Sequence, residues 1–394
     1  MDFEYWWLLA FPFFFLLGWV AARIDIRHVI SQSRQLPESY FKGLNFLLNQ
    51  QPDKAIEAFT EAARADSETV ELHFTLGGLF RRRGEVERAI QLHQGLVERP
   101  DLGQEQRLAA QLELGQDFLK AGLLDRAEQL FNTLLPTRYA EAARRALMEI
   151  YVQEKDWDKA IAMARALAET SAAAFVVEIS QFHCEKAAAM AVEGRFEAAR
   201  TELERALEVN RRNVRATLLA GDFAVAEKRP EEAIVAWKRV EAQNPDYLPL
   251  VADKLLACYR DLKRIQDAAL LLKGWLANYP SVDLFGAAFQ AVLEAEGSEA
   301  AYRLGREELR RNPTLLGLEK LLEAQLYEAA PDARQDLETI RNLVHQHARR
   351  LAFFQCDGCG FKARQFFWRC PACGGWETMP PRRLEERQAQ APYA

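Results

Sequence analysis

The sequence predicts an all-α protein of stacked helical hairpins, with a membrane-spanning helix at its N-terminus and a small metal knuckle at its C-terminus. Three observations predict it. Residues 6–22 carry no charge, a pattern of small and bulky residues returns about every 34 positions, and four of the six cysteines form two Cys-x-x-Cys pairs. Composition agrees with this reading. A chain of 394 residues is too long for one ordinary core, and 49% hydrophobic with 27% charged residues excludes a mainly disordered molecule. Ala, Leu, Glu and Arg dominate, and these side chains lose little freedom in a helix. The net charge of −6 is spread along the chain, so no electrostatic footprint for nucleic acid is present.

The first element is the run from Trp6 to Ala22, WWLLAFPFFFLLGWVAA. Seventeen helical residues rise about 25 Å, and with Phe3 and Tyr5 added the segment just spans a bilayer. Trp6, Trp7 and Trp19 mark its two edges, where an indole keeps its ring among headgroups and its N–H wet. Asp2 and Glu4 precede the run while Arg23, Arg27 and Arg34 come after it, the reverse of a signal peptide. Residues 1–22 are therefore expected to be an uncleaved anchor and 23–35 a juxtamembrane linker. The positive-inside rule places the chain from Arg23 onward in the cytoplasm.

The second element is the repeat. A Gly or polar turn residue is followed two places later by a bulky residue and five places later by Ala, at Ala55, Ala89, Ala127, Ala160, Ala199, Ala233, Ala268 and Ala300. The spacings are 34, 38, 33, 39, 34, 35 and 32. Leu76-Gly77 with Gly84, Val86 and Ala89, then Leu114-Gly115 with Gly122, Leu124, Ala127 and Phe131, then Ala220-Gly221 with Ala233, Trp237 and Pro245 resemble the tetratricopeptide repeat. Two antiparallel helices cross closely only where a small residue faces its partner, which is the role of these glycines. Pro100, Pro136, Pro245, Pro280 and Pro313 are expected near the ends of second helices. His93 stands where the repeat has an aromatic residue, and Lys155 where it has the turn glycine. About eight repeats are expected over residues 36–313, forming a superhelix, with capping helices over 314–350.

Most of these apolar residues are core. Binding by such arrays belongs to the concave face of the first helices. Read in register, that face offers Phe74, Arg81, Arg145, Arg215, Arg260, Phe285 and Phe289, which suits a helix or extended peptide carrying some acid. Phe285 and Phe289 are four apart and share one helical face. A Lys at the fifth repeat position paired with Asn at the ninth does not occur, so the carboxylate clamp of some tetratricopeptide proteins is not expected.

The third element carries the strongest chemistry. Cys356-Asp-Gly-Cys359-Gly and Cys370-Pro-Ala-Cys373-Gly are two knuckles separated by ten residues. Each pair of thiolates can reach one ion, and the Gly after each pair permits a tight turn. Four soft sulfurs in tetrahedral array select zinc or iron, and spacing does not choose between them. A structural ion is expected, because four thiolates leave no open position for catalysis. Residues 351–379 make this rubredoxin-like domain, and 380–394 read as a flexible tail. Phe353, Phe354, Phe361, Phe366, Phe367, Trp368 and Trp376 exceed what so small a core needs, so some should pack on the helices before it. Cys184 and Cys258 read as inert buried residues, and His345 and His347, two apart on a helix, point to different faces. No nucleotide loop, serine elbow or paired-carboxylate pattern is visible, so no enzyme is expected.

An anchor, some eight repeats and a knuckle reading CDGCGF-x₆-WRCPAC, in that order, resemble the lipopolysaccharide assembly protein B family of Gram-negative bacteria. The resemblance implies a single-pass inner-membrane adaptor, with repeats and metal domain in the cytoplasm, that regulates lipopolysaccharide synthesis. It implies three partners: the lipid A pathway deacetylase, the membrane AAA protease FtsH that degrades it, and an inner-membrane protein that senses lipopolysaccharide. A homodimer is left open. A general peptide-binding co-chaperone and a rubredoxin-type electron-transfer protein are the alternative readings.

Overall fold

The computed structural model describes residues 38–65, 69–169, 175–348 and 353–390. The expected anchor (1–22) and linker (23–35) lie outside the described residues. No described helix is long and apolar enough to cross a membrane.

Eighteen helices precede the knuckle among the described residues and are numbered in chain order as nine successive helical pairs, the fourth of which straddles the boundary between two compact units. The first three are α1 (Glu38–Leu48) with α2 (Pro52–Ala65), α3 (Val70–Arg83) with α4 (Val86–Glu98), and α5 (Gln104–Lys120) with α6 (Leu124–Leu134). The next three are α7 (Ala140–Glu154) with α8 (Trp157–Ala168), α9 (Val176–Val192) with α10 (Phe196–Val209), and α11 (Val214–Ala226) with α12 (Pro230–Gln243). The last three are α13 (Pro249–Asp261) with α14 (Ile265–Asn278), α15 (Val282–Glu296) with α16 (Ser298–Arg311), and α17 (Leu315–Glu328) with α18 (Pro331–Ala348). The chain divides into two compact units, residues 1–150 and 151–394.

Four of the hairpins are set by size complementarity. A Cβ added to Gly43, Gly77, Gly115 or Gly221 would lie within 2.8 Å of the ring of Phe59, His93, Phe131 or Trp237, in each case sixteen residues further on. The second helix thus seats a ring on bare backbone of the first. The repeat alanines from Ala55 to Ala268 are fully buried or nearly so beside this contact. In hairpin eight the buried alanine is Ala301, one residue beyond the expected Ala300. There the bulky residues are in the first helix: Phe285 and Phe289 lie in ordinary contact with the position of Gly305 in the second, at 3.6 and 3.8 Å, while the close neighbour of Gly305, at 2.9 Å, is Leu321 of hairpin nine.

The turns are equally regular. Gln50, Gly84, Gly122, Lys155, Gly194, Lys228 and Lys263 take positive φ of 56–91°, and the next residue donates its N–H to the carbonyl five back, as in Glu85 to Phe80 at 2.9 Å and Arg229 to Ala224 at 2.8 Å. This is the Schellman closure, which satisfies carbonyls the helix end leaves open. Pro100, Pro136, Pro245, Pro280 and Pro313 each stand two residues beyond the end of a second helix, as Pro100 does after Glu98 and Pro313 after Arg311.

Neighbouring hairpins are joined by side chains about one period apart. In the first unit Arg81 donates to Glu113 (2.6 Å) and to buried Asp117 (2.7 Å), whose second oxygen lies 2.5 Å from buried His93 Nδ1. In the second unit Lys254 reaches Asp222 (2.7 Å), Arg260 reaches Glu294 (2.6 Å), and Trp275 Nε1 donates to Glu241 (2.7 Å). Within hairpin five, His183 Nδ1 is 2.7 Å from buried Glu202, which also takes Arg205 at 2.7 Å and Lys186 at 3.3 Å. Burial alone would raise the Glu202 carboxyl, but hydrogen bonds from His183 and Lys186 and their charge outweigh it and hold it below its ordinary 4.5.

This packing sets opposite expectations for two glycines. Gly221→Ala drives a methyl into the Trp237 indole and should cost about 1–3 kcal/mol. Gly274→Ala, which meets nothing within 4 Å, should instead gain up to about 1 kcal/mol from helix propensity; chemical denaturation of both variants checks the contrast. The Glu202 cluster contributes fully above the carboxyl's ordinary value and is lost as pH falls through the lowered one. Glu202→Gln should therefore flatten the acid limb of the stability-against-pH curve of the second unit, measured by urea titrations between pH 3 and 7.

Candidate metal centre and its seat on the repeats

The knuckle begins as a two-stranded ribbon, β1 (Phe354–Gln355) antiparallel to β2 (Lys362–Ala363), with Phe354 opposite Ala363. A single bridge between Arg369 and Trp376 closes the second loop. The two Cys-x-x-Cys turns repeat one another. Gly360 and Gly374, at φ of 75° and 71°, donate to the carbonyls of Cys356 and Cys370 at 2.9 and 2.8 Å. Cys356 N–H then donates to Phe361 O, and Cys370 N–H to Gly375 O, at 2.9 and 2.8 Å. Glycine is needed at both turns because that backbone region disfavours any side chain.

The four Sγ atoms lie within 4.8 Å of one another. The pairs Cys356–Cys373 and Cys359–Cys370 stand 3.8 and 3.7 Å apart, far beyond a covalent S–S bond of about 2.05 Å. Their electrostatics suit a cation. Cys356 is drawn down to about 6, chiefly by its hydrogen bond with the Thr378 hydroxyl at 3.3 Å, with the N–H groups of Cys359 and Gly358 assisting. At Cys359 the Phe361 N–H favours the thiolate, yet desolvation and the three neighbouring sulfurs push it up to about 12. Four like charges at this spacing repel, and a bound dication lets all four ionise. The donor set therefore fits one metal ion held by Cys356, Cys359, Cys370 and Cys373.

The knuckle is seated on the second unit by its aromatic residues. Trp368 stacks on Tyr247 at 5.3 Å with the rings 2° from parallel, and Phe366 meets the same tyrosine edge-on at 6.2 Å. Trp376 meets Phe182 edge-on at 6.0 Å. Between the two indoles lies Arg215, its guanidinium carbon 5.9 Å from Trp368 and 5.7 Å from Trp376. Arg215 also donates to Gln181 (3.0 Å) and Glu185 (2.8 Å), and Gln181 donates to Glu377 of the knuckle (2.6 Å). Burial raises the Glu377 carboxyl, against the opposing pull of Gln181 and Arg215. The expectation that surplus aromatics pack on the helices is met by Phe366, Trp368 and Trp376.

The rubredoxin metal binding domain family matches residues 354–381, and the tetratricopeptide repeat family matches residues 42–102 and 191–248. Lipopolysaccharide assembly protein B of Escherichia coli strain K12 is 33% identical over 378 residues, covering 95% of this chain and 97% of that protein. The chain belongs to the lipopolysaccharide assembly protein B family. The protein of the same name from Haemophilus influenzae is 31% identical over 386 residues, with the same coverage. Among solved structures, MamA is 19% identical, at a TM-score of 0.34 over 43% of this chain and 88% of that one. A tetratricopeptide repeat protein from Parabacteroides merdae is 15% identical, at a TM-score of 0.27 over 73% and 98%.

The expected groove residues are not one open surface in this member of the family. Phe285 and Phe289 do pair, edge-on at 5.9 Å, but each is only 2% exposed; they are core, because hairpin eight puts the bulky partner in its first helix. Arg215 lies beneath the knuckle and Arg81 is engaged by Glu113 and Asp117. Phe74 is half-buried beside His93, with Leu96, Leu102 and Ala110 in the same cluster. Arg145 and Arg260 are exposed, in ion pairs with Glu141 and Glu294. Sequence reasoning missed Gln181, Tyr247 and Glu377; a search for partners one period from each arginine would have found Gln181, 34 residues before Arg215. Cys184 reads correctly as inert, its thiol pushed up to about 12 by burial.

Cys356→Ser should abolish stoichiometric metal binding and unfold the knuckle, since about thirty residues cannot offset their ordering entropy without the ion. Most helical circular dichroism should remain. Metal analysis of protein purified under reducing conditions checks the first outcome and far-ultraviolet spectra the second.

Proposed function

We propose that this protein is a membrane-anchored adaptor that sets the amount of lipopolysaccharide made, by binding the lipid A pathway deacetylase and promoting its degradation by FtsH. The observation that carries the reading is likeness to lipopolysaccharide assembly protein B over 95% of the chain, extending through both the repeats and the four-cysteine module. The residues fit such a role. The repeats are a binding scaffold, and the metal module has four thiolates and no open coordination position, which makes it structural. Residues 1–22 are proposed to tether the scaffold in the inner membrane with the repeats and knuckle in the cytoplasm, beside the protease. Tethering raises effective concentration without adding contacts. A lipopolysaccharide-sensing inner-membrane protein would oppose the adaptor by competing for it.

The test is complementation of a strain lacking its own family member. The full chain should lower the deacetylase level seen by immunoblot and co-purify with both deacetylase and protease; a chain beginning at residue 23 should fold but leave the deacetylase high. An unchanged deacetylase level with the full chain would overturn the reading. Arg145→Glu and Arg260→Glu, at exposed positions, should each weaken deacetylase binding by up to about 1 kcal/mol without altering the melting temperature. Elemental analysis of the purified protein distinguishes zinc from iron.

A further inference from the structure

Residues 380–390 are not the flexible tail that the sequence suggests. They include a short helix, α19 (Leu384–Gln390), that touches both the knuckle and the repeats of the second unit. Toward the repeats, Glu386 accepts the N–H of Val282 at 2.7 Å, the first residue of α15, whose N-cap Ser281 offers no side-chain cap of its own. Glu385 accepts the N–H groups of Leu315 and Leu316, the first two residues of α17. Adjacent glutamates therefore satisfy the open amide ends of two successive first helices, at the pole where the helix dipole favours negative charge. Arg383 is bidentate to Asp283 at 2.7 and 3.1 Å, and Arg382 reaches Asp246 at 2.5 Å. Toward the knuckle, Arg387 donates to Gln355 O at 2.9 Å and to Asp357 at 2.5 Å, inside the first Cys-x-x-Cys turn, and Leu384 N–H donates to Phe353 O at 2.8 Å.

We propose that residues 382–387 are a releasable latch that holds the metal module on the repeats and so sets how firmly the four-cysteine site keeps its ion. The contact has the character of a latch rather than a core. It consists mainly of charge pairs and helix caps, with Arg383 over the Phe354 ring at 4.1 Å and Glu386 buried; its ion pairs are partly exposed, and a cavity of about 350 Å³ bordered by Ser281, Phe285, Glu308, Thr314 and Glu386 remains beside it. Such contacts open locally at far less cost than the apolar core beneath them. The latch also reaches Asp357, the residue after Cys356, so it steadies the ligand turn itself.

The test uses the full-length, metal-loaded protein in detergent, compared with a chain ending at Pro381 and with the point variant Glu385→Ala/Glu386→Ala. Metal transfer to excess EDTA should run at least about tenfold faster in both variants. Amide hydrogen exchange should rise across residues 354–379 and at 177–185, while exchange in hairpin two stays as in the parent protein. Adding a peptide of residues 380–394 should slow metal transfer from the truncated chain. If the truncated chain loses its helical circular dichroism, the point variant decides. Metal transfer and exchange in the point variant within about twofold of the parent would overturn the proposal, as would faster metal transfer without increased exchange at 177–185.

Discussion

A ring resting on the bare backbone of a glycine sixteen residues earlier is the contact on which the rest of this structure depends. It fixes how near the two helices of a hairpin lie and so which residues face the neighbouring hairpin. Gly43, Gly77, Gly115 and Gly221 do this for four hairpins, and Gly305 seats Leu321, again sixteen residues on, from the neighbouring hairpin. Once that distance is set, side chains about 34 residues apart come into register, and ion pairs such as Arg81–Glu113 and Arg260–Glu294 repeat along the chain. The alternation of small and large is therefore both the packing rule and the source of the period.

An array of this kind is close to one-dimensional, since each repeat touches only its neighbours, and such arrays open from their ends. The knuckle alters that arrangement within the second unit. The hydrogen bond from Gln181 to Glu377 joins residues 196 apart, and the one from Val282 to Glu386 joins residues 104 apart. With the Arg215–indole contacts and the bonds from Leu315 and Leu316 to Glu385, they tie hairpins five, six, eight and nine to the knuckle and the segment that follows it. Where a four-thiolate site supplies the folding energy of a small domain, occupancy of the site and ordering of the helices that the domain touches are thermodynamically linked.

Much of this was legible in the sequence. The buried alanines announce the period, the five prolines mark helix ends to within two residues, and two Cys-x-x-Cys pairs with trailing glycines specify a knuckle by their chemistry. The remainder was hidden for identifiable reasons. Phe285 and Phe289 occupy groove positions by register, yet hairpin eight carries its bulky residues in its first helix, and a count of positions does not see volume. Arg215 reads as an open cation because the residues that cover it, Trp368 and Trp376, are about 150 positions away. The segment after Met379, rich in charge and holding three prolines, has the composition of a tail; only the N–H groups of Val282, Leu315 and Leu316 at the starts of α15 and α17 give its glutamates a place to bind.

The distribution of indoles has a practical consequence. Trp157, Trp237, Trp275, Trp368 and Trp376 all lie beyond residue 150, and the remaining three of the eight are Trp6, Trp7 and Trp19. Hairpins one to three contain none. Tryptophan emission therefore reports on the second unit and on the apolar N-terminal run, and is blind to the first three hairpins. An unfolding curve followed by emission and one followed by helical ellipticity observe different parts of the molecule, and disagreement between them would be a property of where the chromophores lie before it was evidence of an intermediate.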